Sequence, residues 1–450
     1  MQSNSLQYNI SVILQNLATL TLLLLALPIN LMVTTIALLR GLFISPLQAS
    51  TDSPKRILVT GGKMTKALQL ARSFHAAGHT VILVETQKYW LTGHRFSRSV
   101  SRFYTIPAPK TDPDTFVQAL LEIVEREDID VFVPVTSPIE SYYCSLAKPA
   151  LSRHCEVFHF DIETTELLDD KFRLSDKARS IGLTAPKTFL ITDPQQVLDF
   201  DFEQDNSQYI LKSIAYDSVH RLDMTRYPLP SKQETAAHLE TLPISEQNPW
   251  ILQEFITGQE YCTHSTVREG KVRLHCCAKS SAFQVNYEQI DHPVIQGWVT
   301  KFVQALNLTG QLSFDFIERS DGTVYAIECN PRTHSAITMF YNHPGVADAY
   351  LDKEFSLSTP IQPLPTSKPT YWIYHEVWRL VTARSRPQFQ ARLDIIRQGK
   401  DAILQLNDPL PFLMVHHWQI PLLLINNLRK LKGWVRIDFN IGKLVEPGGD

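Results

Sequence analysis

A chain of 450 residues, 44% hydrophobic and 20% charged, has a globular composition with enough apolar material for two or three packed units. Its formal net charge of −3 supplies no global basic field, so nucleic acid is not an expected partner. Six cysteines, at 144, 155, 262, 276, 277 and 329, lie mostly inside apolar runs without CxxC spacing. That is the pattern of buried thiols in a reducing compartment, not of a disulfide framework or a zinc site.

The N-terminal segment, 1–50, carries no charged side chain between Ala18 and Leu39, a length that would span a bilayer. Pro28 and Asn30 interrupt it, and no Lys or Arg precedes it as the n-region of a signal peptide. Arg40, Lys55 and Arg56 follow, so a spanning segment would keep the rest of the chain cytoplasmic. Membrane association through residues 18–43 stands open in three forms: an anchor, a helix lying on the membrane surface, and an apolar arm packed against the C-terminal segment.

After the polar break at 50–54, a strand is predicted at 56–60, a Gly61-Gly62 turn, a helix over 64–77 and a strand at 80–85. A helix around 116–126 and a strand at 131–135 continue the strand, turn, helix, strand order of a doubly wound parallel sheet. A dinucleotide fingerprint is incomplete, because Lys66 stands where a third small residue would let helix and strand approach. Gly61-Gly62-Lys63 also lacks the spaced glycine and the following Ser or Thr of a P-loop, which leaves a structural turn.

From residue 168 the pattern changes. Asp169-Asp170-Lys171 opens a helix to about 180, and strands are expected at 186–191, 208–212 with Lys212 at its end, and 250–256. A hairpin of 261–267 and 271–280 turns at Glu269-Gly270, a helix covers 294–306, and strands at 311–318 and 324–330 flank the turn Ser320-Asp321-Gly322-Thr323. Strand alternation puts Glu328 and Asn330 on one side and Ile327 and Cys329 on the other. Asp315 joins them from the neighbouring strand, amid Phe314, Phe316 and Ala326, and buried carboxylates need partners. Asp315, Glu328 and Asn330 therefore suit a hard divalent cation, with Arg332 placed to meet anionic oxygens. Past residue 355 four prolines mark a linker, helices are predicted at 371–383 and 389–399, and the apolar run 420–428 ends in a basic, aromatic-tipped turn at 429–434.

These residues resemble the ATP-grasp superfamily over residues 56–351. The resemblance implies an α/β and α+β architecture: a Rossmann-like domain at 55–165, ATP-grasp subdomains at 168–255 and 256–355, and a mostly helical C-terminal segment at 366–450. It further implies that Lys171 and Lys212 contact the nucleotide phosphates, that Glu254, Phe255 and Ile256 form the hinge reading adenine, and that Glu260 accepts from the ribose. Asp315, Glu328 and Asn330 would hold Mg2+, or Mn2+ in its place, and Arg332 would face the transferred phosphoryl group of ATP. One departure is plain: 213–221, where many members carry a glycine-rich phosphate lid, has no glycine, so Ser213, Ser218 or Arg221 would have to serve.

A closer likeness is to the cyanobacterial ligases that make mycosporine-glycine, carried by 212–223, by Glu-Cys-Asn-Pro-Arg at 328–332, and by 408–412 with His417-Trp418-Gln419. It implies joining glycine to 4-deoxygadusol at the cost of ATP through a phosphorylated enol, in the cytoplasm. A carboxylate–amine ligase working through an acyl phosphate shares every nucleotide residue, and a membrane-bound ATP-binding protein without turnover is a third reading. For the small molecules Lys279 is the first choice, as the catalytic-site cation meeting a carboxylate or phosphate, ahead of His264, Ser265, His334 and Ser335. The oligomeric state is not legible.

Overall fold

Short apolar runs closed by polar turns build the first sheet: β1 Arg56–Val59, β2 Thr80–Thr86, β3 Arg102–Ile106, β4 Val131–Val133 and β5 Glu156–Val157. They lie parallel in the order β3-β2-β1-β4-β5. Helices cover both faces, which is why β1 is apolar at consecutive positions. Ile57 and Val59 pack with the helix Thr65–Ala76, and Leu58 packs with the helices Pro113–Arg126 and Pro138–Leu151. Gly61 leaves β1 at φ +70°, and a Cβ there would meet the Val135 carbonyl at 2.1 Å, so glycine alone fits this turn. The computed structural model describes residues 2–43, 49, 51–204, 207–215, 220, 223–280, 286–354 and 358–446.

Two antiparallel sheets follow. In the first, β6 Thr188–Ile191, β7 Tyr209–Ser213, β8 Arg226–Tyr227 and β9 Trp250–Glu254 run β6-β9-β7-β8 around Trp250, Leu252, Tyr209 and Leu211. The second comprises β10 Gln259–Arg268, β11 Lys271–Lys279, β13 Gly310–Glu318 and β14 Val324–Asn330, in the order β11-β10-β13-β14. Between β11 and β13 in the chain, β12 Asn286–Tyr287 joins a small sheet with β15 Thr370–Tyr371 and β16 Lys400–Asp401. The helix Pro293–Ala305 covers one face of the larger sheet, its stacked Trp298 and Phe302 rings meeting Phe314 and Phe316 edge-on.

One strand departs from simple alternation. Asp315 pairs with Glu328 while Phe316 pairs with Ala326, so β14 holds one extra residue, Ile327, in a bulge. Ala326 and Cys329 both enter the core although three residues apart, and Ile327 stays half-buried outside it, not beside Cys329 as alternation predicts.

The C-terminal segment contains the helices Ile373–Val381, Arg386–Gln398, Leu410–Met414 and Ile420–Arg429 and closes on a hairpin of Arg436–Asp438 and Lys443–Val445. It packs on the first unit: Trp372, Phe412, Val415 and Ile420 share one core with Leu68 and Phe74. Arg72 meets Asp408 at 2.8 Å with both side chains buried, and the Trp372 indole donates to Thr65 Oγ1 at 3.0 Å. The N-terminal helix, Gln2–Phe43, lies along Ile420–Arg429; Gln15 donates to the Trp434 carbonyl at 3.0 Å. Of the three dispositions for this segment, the packed one is thus realised along one edge of the helix.

Candidate active site

The register that creates the bulge sets Asp315 directly across from Glu328, both on the face of the sheet away from the helix Pro293–Ala305. Burial and the facing Glu328 charge push the Asp315 carboxyl well above the usual carboxylate range. Asn330 follows on the same face and accepts from the Arg332 guanidinium through Oδ1. Burial lowers Arg332 from its ordinary value, opposed by Asp169, Glu328 and Asp315. Its Nε is buried and, among the described residues, has no hydrogen-bond partner.

Cations reach this corner from two other elements. Asp170 caps the helix Lys171–Ser180, its carboxylate accepting from the N–H groups of Phe172 and Arg173 at 2.8 and 3.0 Å. That cap fixes Lys171, whose ammonium lies 4.0 Å from Glu328. Lys212, on β7, donates to Gln253 Oε1 at 3.1 Å. Burial pulls Lys212 below the ordinary lysine range, while the charges of Glu328, Asp315 and Glu260 hold it up. Lys171, Lys212, Asp315, Glu328, Asn330 and Arg332 are therefore gathered in one place, with Glu260 at its edge. Glu260 lies two residues before Cys262, the direct partner of Asp315, and so shares its face of the sheet.

At the hinge, the Glu254 carboxylate is engaged by Arg319 at 2.7 Å and by the Lys187 N–H at 3.2 Å, tying the two antiparallel sheets together. The backbone N–H groups of Glu254 and Phe255 donate to Lys187 O and Gln208 O. No intramolecular bond engages the Ile256 N–H among the described residues. The Arg226 guanidinium covers the Phe255 ring at 4.2 Å.

Lys279 departs from expectation. It pairs with Tyr261, which also pairs with Phe316, so all three project to the helix-covered face. Lys279 is exposed there, across the sheet from Asp315, and does not join the cluster. Of the lid residues, Ser213 closes β7, while Ser218 and Arg221 lie outside the described residues. His264 does share the Asp315 face; its Nδ1 accepts from the His334 N–H at 3.3 Å, and burial holds both imidazoles neutral, His334 at about 3. Ser265, one residue on, donates to or accepts from His275 at 2.9 Å, and Ser335 Oγ accepts from Asn440 at 2.7 Å.

Four further residues border the site: Asp169, Ser313 and Lys66, which the sequence does not assign to it, and Gln253, which opens the expected hinge run. Asp169 is raised by burial and lowered by Lys171 and Arg332, which places it beside both. Ser313, paired with Asn330, and Gln253 each bury a side-chain donor, Oγ and Nε2, with no partner among the described residues. Lys66, the residue that spoils the dinucleotide fingerprint, is buried and donates to Thr136 O at 3.0 Å and Thr333 O at 2.7 Å, bolting the first unit to the residue after Arg332. Glu85, where a dinucleotide ribose would bind, is occupied instead by Lys63 and Thr86.

Among the described residues no three His, Cys, Asp or Glu side chains converge as a metal cage. Two facing carboxylates and an amide nevertheless fit Mg2+, which binds through one or two carboxylates and completes its shell with water and substrate phosphate. The like-charge strain at Asp315 is the deficit that such a cation would relieve.

No family model matches the chain, and no curated protein matches it in sequence. Solved structures do match. N5-carboxyaminoimidazole synthetase from Staphylococcus aureus, complexed with ADP, is 14% identical at TM-score 0.51, covering 72% of this chain and 82% of that one. The biotin carboxylase–β,γ-ATP complex from Campylobacter jejuni is 13% identical at 0.52, covering 68% and 72%. N5-carboxyaminoimidazole synthase from Aspergillus clavatus, with ADP and its ribonucleotide, is 12% identical at 0.52, covering 70% and 80%. At such identities the likeness is one of fold, and it agrees with the sheet orders above. The chain has the ATP-grasp fold, preceded by a parallel α/β unit and followed by a largely helical segment.

Proposed function

We propose that this protein is an ATP-dependent ligase that forms a carbon–nitrogen bond, joining glycine to the enol of 4-deoxygadusol. The observation that carries the ligase reading is the unsatisfied corner itself. Two facing carboxylates are ringed by Lys171, Lys212 and Arg332, with buried donors on Ser313, Gln253 and Arg332 aimed at no protein acceptor. Buried donors are normally paired, so a cluster of unpaired ones around two acids describes a site for an anionic ligand and its cation. The structures similar in fold were determined with ADP or an ATP analogue, which supports nucleotide as that ligand.

In this reading Lys171 and Lys212 neutralise phosphate oxygens, the Ile256 N–H reads the adenine edge and Glu260 accepts from the ribose. Asp315, Glu328 and Asn330 would hold Mg2+, whose chemistry is to screen the triphosphate and withdraw charge from the bridging oxygen. Arg332 offers its free Nε to the transferred phosphoryl group, and the buried setting makes that donor worth more than it would be in water. The enol oxygen of the cyclohexenone, a vinylogous carboxylic acid, takes the γ-phosphoryl group as ADP leaves. The glycine nitrogen then bonds to the same carbon, phosphate departs with the oxygen and the amine loses a proton. His334, half-buried just beyond Arg332, stands on the side from which the acceptor would approach, with His264 and Lys66 buried behind it and bonded to the backbone of residues 334 and 333.

The acceptor is tested by ADP release from purified protein with ATP and Mg2+. Release that requires both 4-deoxygadusol and glycine, with one mycosporine-glycine formed per ADP, is the expected result. Release that requires a carboxylic acid and ignores the cyclohexenone would assign the site to acyl-phosphate chemistry instead.

A further inference from the structure

The N-terminal helix is built inside out. Its buried side chains are Val12, Asn16, Leu23, Asn30, Thr34 and Ala37. At 3.6 residues per turn these fall within a sector of about 60°, and half of them are polar. Asn16 accepts from the Trp434 indole at 3.2 Å, and Asn30 bonds to the Tyr374 hydroxyl at 2.7 Å and to His417 at 2.6 Å. The opposite side of the helix carries Leu14, Leu22, Leu25, Ile29, Met32 and Ile36, all exposed, Leu25 to 68% and Ile29 to 62%. A helix on the surface of a water-soluble protein has the reverse polarity, and soluble monomers seldom leave so continuous an apolar face in water.

Charge and neighbours identify the occupant. The helix contains no Asp or Glu and a single charge, Arg40. Beside its other end the turn after the helix Ile420–Arg429 exposes Arg429 and Lys430, with Lys432 paired to Glu446 at 3.4 Å, and residues 420–435 contain no acid, although the whole chain is net negative. The helix Ile373–Val381, which holds Asn30 through Tyr374, exposes Val377, Trp378 and Val381 as well. Apolar faces fringed by cations and tryptophan are what an anionic lipid surface accepts. Orientation follows from the docking: the contact with the protein runs from Val12 to Ala37, about 38 Å of helix, against a hydrocarbon core of about 30 Å. A spanning helix would drag the attached Trp434 and Tyr374 regions, with their cations, into the bilayer. We propose that this helix lies in the plane of an anionic membrane, its outward apolar face in the lipid, and seats the protein on that surface.

The test is flotation of the full-length protein with phosphatidylcholine vesicles, with and without phosphatidylglycerol. Flotation with the anionic vesicles, weaker with the neutral ones and weakened by salt, is expected. The double variant Leu25→Glu/Ile29→Glu, changed only at outward positions, should lose flotation while keeping its melting temperature. Protein that stays unbound with both vesicle types overturns the proposal. So does a doubled mass in lipid-free solution that the same variant abolishes, which would make a second copy the occupant. For orientation, a short peptide epitope added before the helix and another inserted after it should both stay open to antibody outside sealed vesicles; protection of one of them would mean a spanning helix.

Discussion

Two buried carboxylates in this protein have opposite fates. Asp408 is fully employed: Arg72 Nε at 2.8 Å and Ser97 Oγ at 2.7 Å donate to one oxygen, and the Arg98 N–H at 3.0 Å donates to the other. Asp315 is less completely enclosed and faces a second carboxylate, and its nearest cations stand on other elements. A buried charge costs several kcal/mol unless it is paired, so the first arrangement is what holds a fold together and the second is what awaits a ligand. The difference that matters for ligand binding lies in how completely each acid is partnered by its own protein.

Removing one acid from each pair breaks the comparison most sharply. Asp408→Ala strands the Arg72 guanidinium in the core and should lower stability by about 3–5 kcal/mol, measured by denaturant unfolding. Glu328→Ala should behave in the opposite way. It removes a repulsion with Asp315 but also a countercharge to Lys171, Lys212 and Arg332, so the melting temperature should change far less than for Asp408→Ala, while ADP release falls by about 10²–10³-fold, as for loss of one group that stabilises transition-state charge. If Glu328→Ala unfolded the protein and Asp408→Ala did not, the two assignments would have to be exchanged.

That contrast was only partly visible in the linear chain. Apolar runs closed by Gly, Pro and Asp place the strands locally, and Asp170-Lys171 announces a capped helix start, so the elements and their main cations could be found by inspection. What escaped is set by pairing partners. The bulge at Ile327 exists only relative to β13, and it changes which neighbours of Glu328 enter the core. The face of Lys279 depends on two successive registers, through Tyr261 to Phe316, and one step of parity carries it away from the acids. Lys66 looked like a defect in a glycine motif because its acceptors, Thr136 and Thr333, lie 70 and 267 residues away. The N-terminal segment likewise revealed its composition but not which of its faces the body would cover.

The strain at Asp315 also predicts a pH effect. Its carboxyl titrates above its unfolded value, so between the two the native protein holds a proton that the unfolded chain has released. The metal-free protein should therefore lose stability as pH rises through the raised value, where the paired charges appear. Mg2+ must displace that proton, so its affinity should fall by up to about tenfold per pH unit on the acid side. Glu328→Gln, by removing the facing charge, should move this dependence to lower pH; a profile indifferent to residue 328 would show that the two carboxyls do not interact.

The smallest effect tests how the first unit reaches the site. Burial, with Arg332 nearby, pulls Lys66 well below the ordinary lysine range, so its contribution rests on two hydrogen bonds to carbonyls rather than on charge. Lys66→Met keeps the bulk and removes both donors. At about 0.5–1.5 kcal/mol per bond, the position of the loop after Arg332 should loosen enough to lower kcat by about tenfold. KM for ATP should stay unchanged, because the hinge and phosphate lysines belong to other elements. A rise in KM for ATP with kcat preserved would instead place Lys66 among the groups that shape the nucleotide pocket, and would shift the boundary between the two kinds of buried charge toward the first sheet.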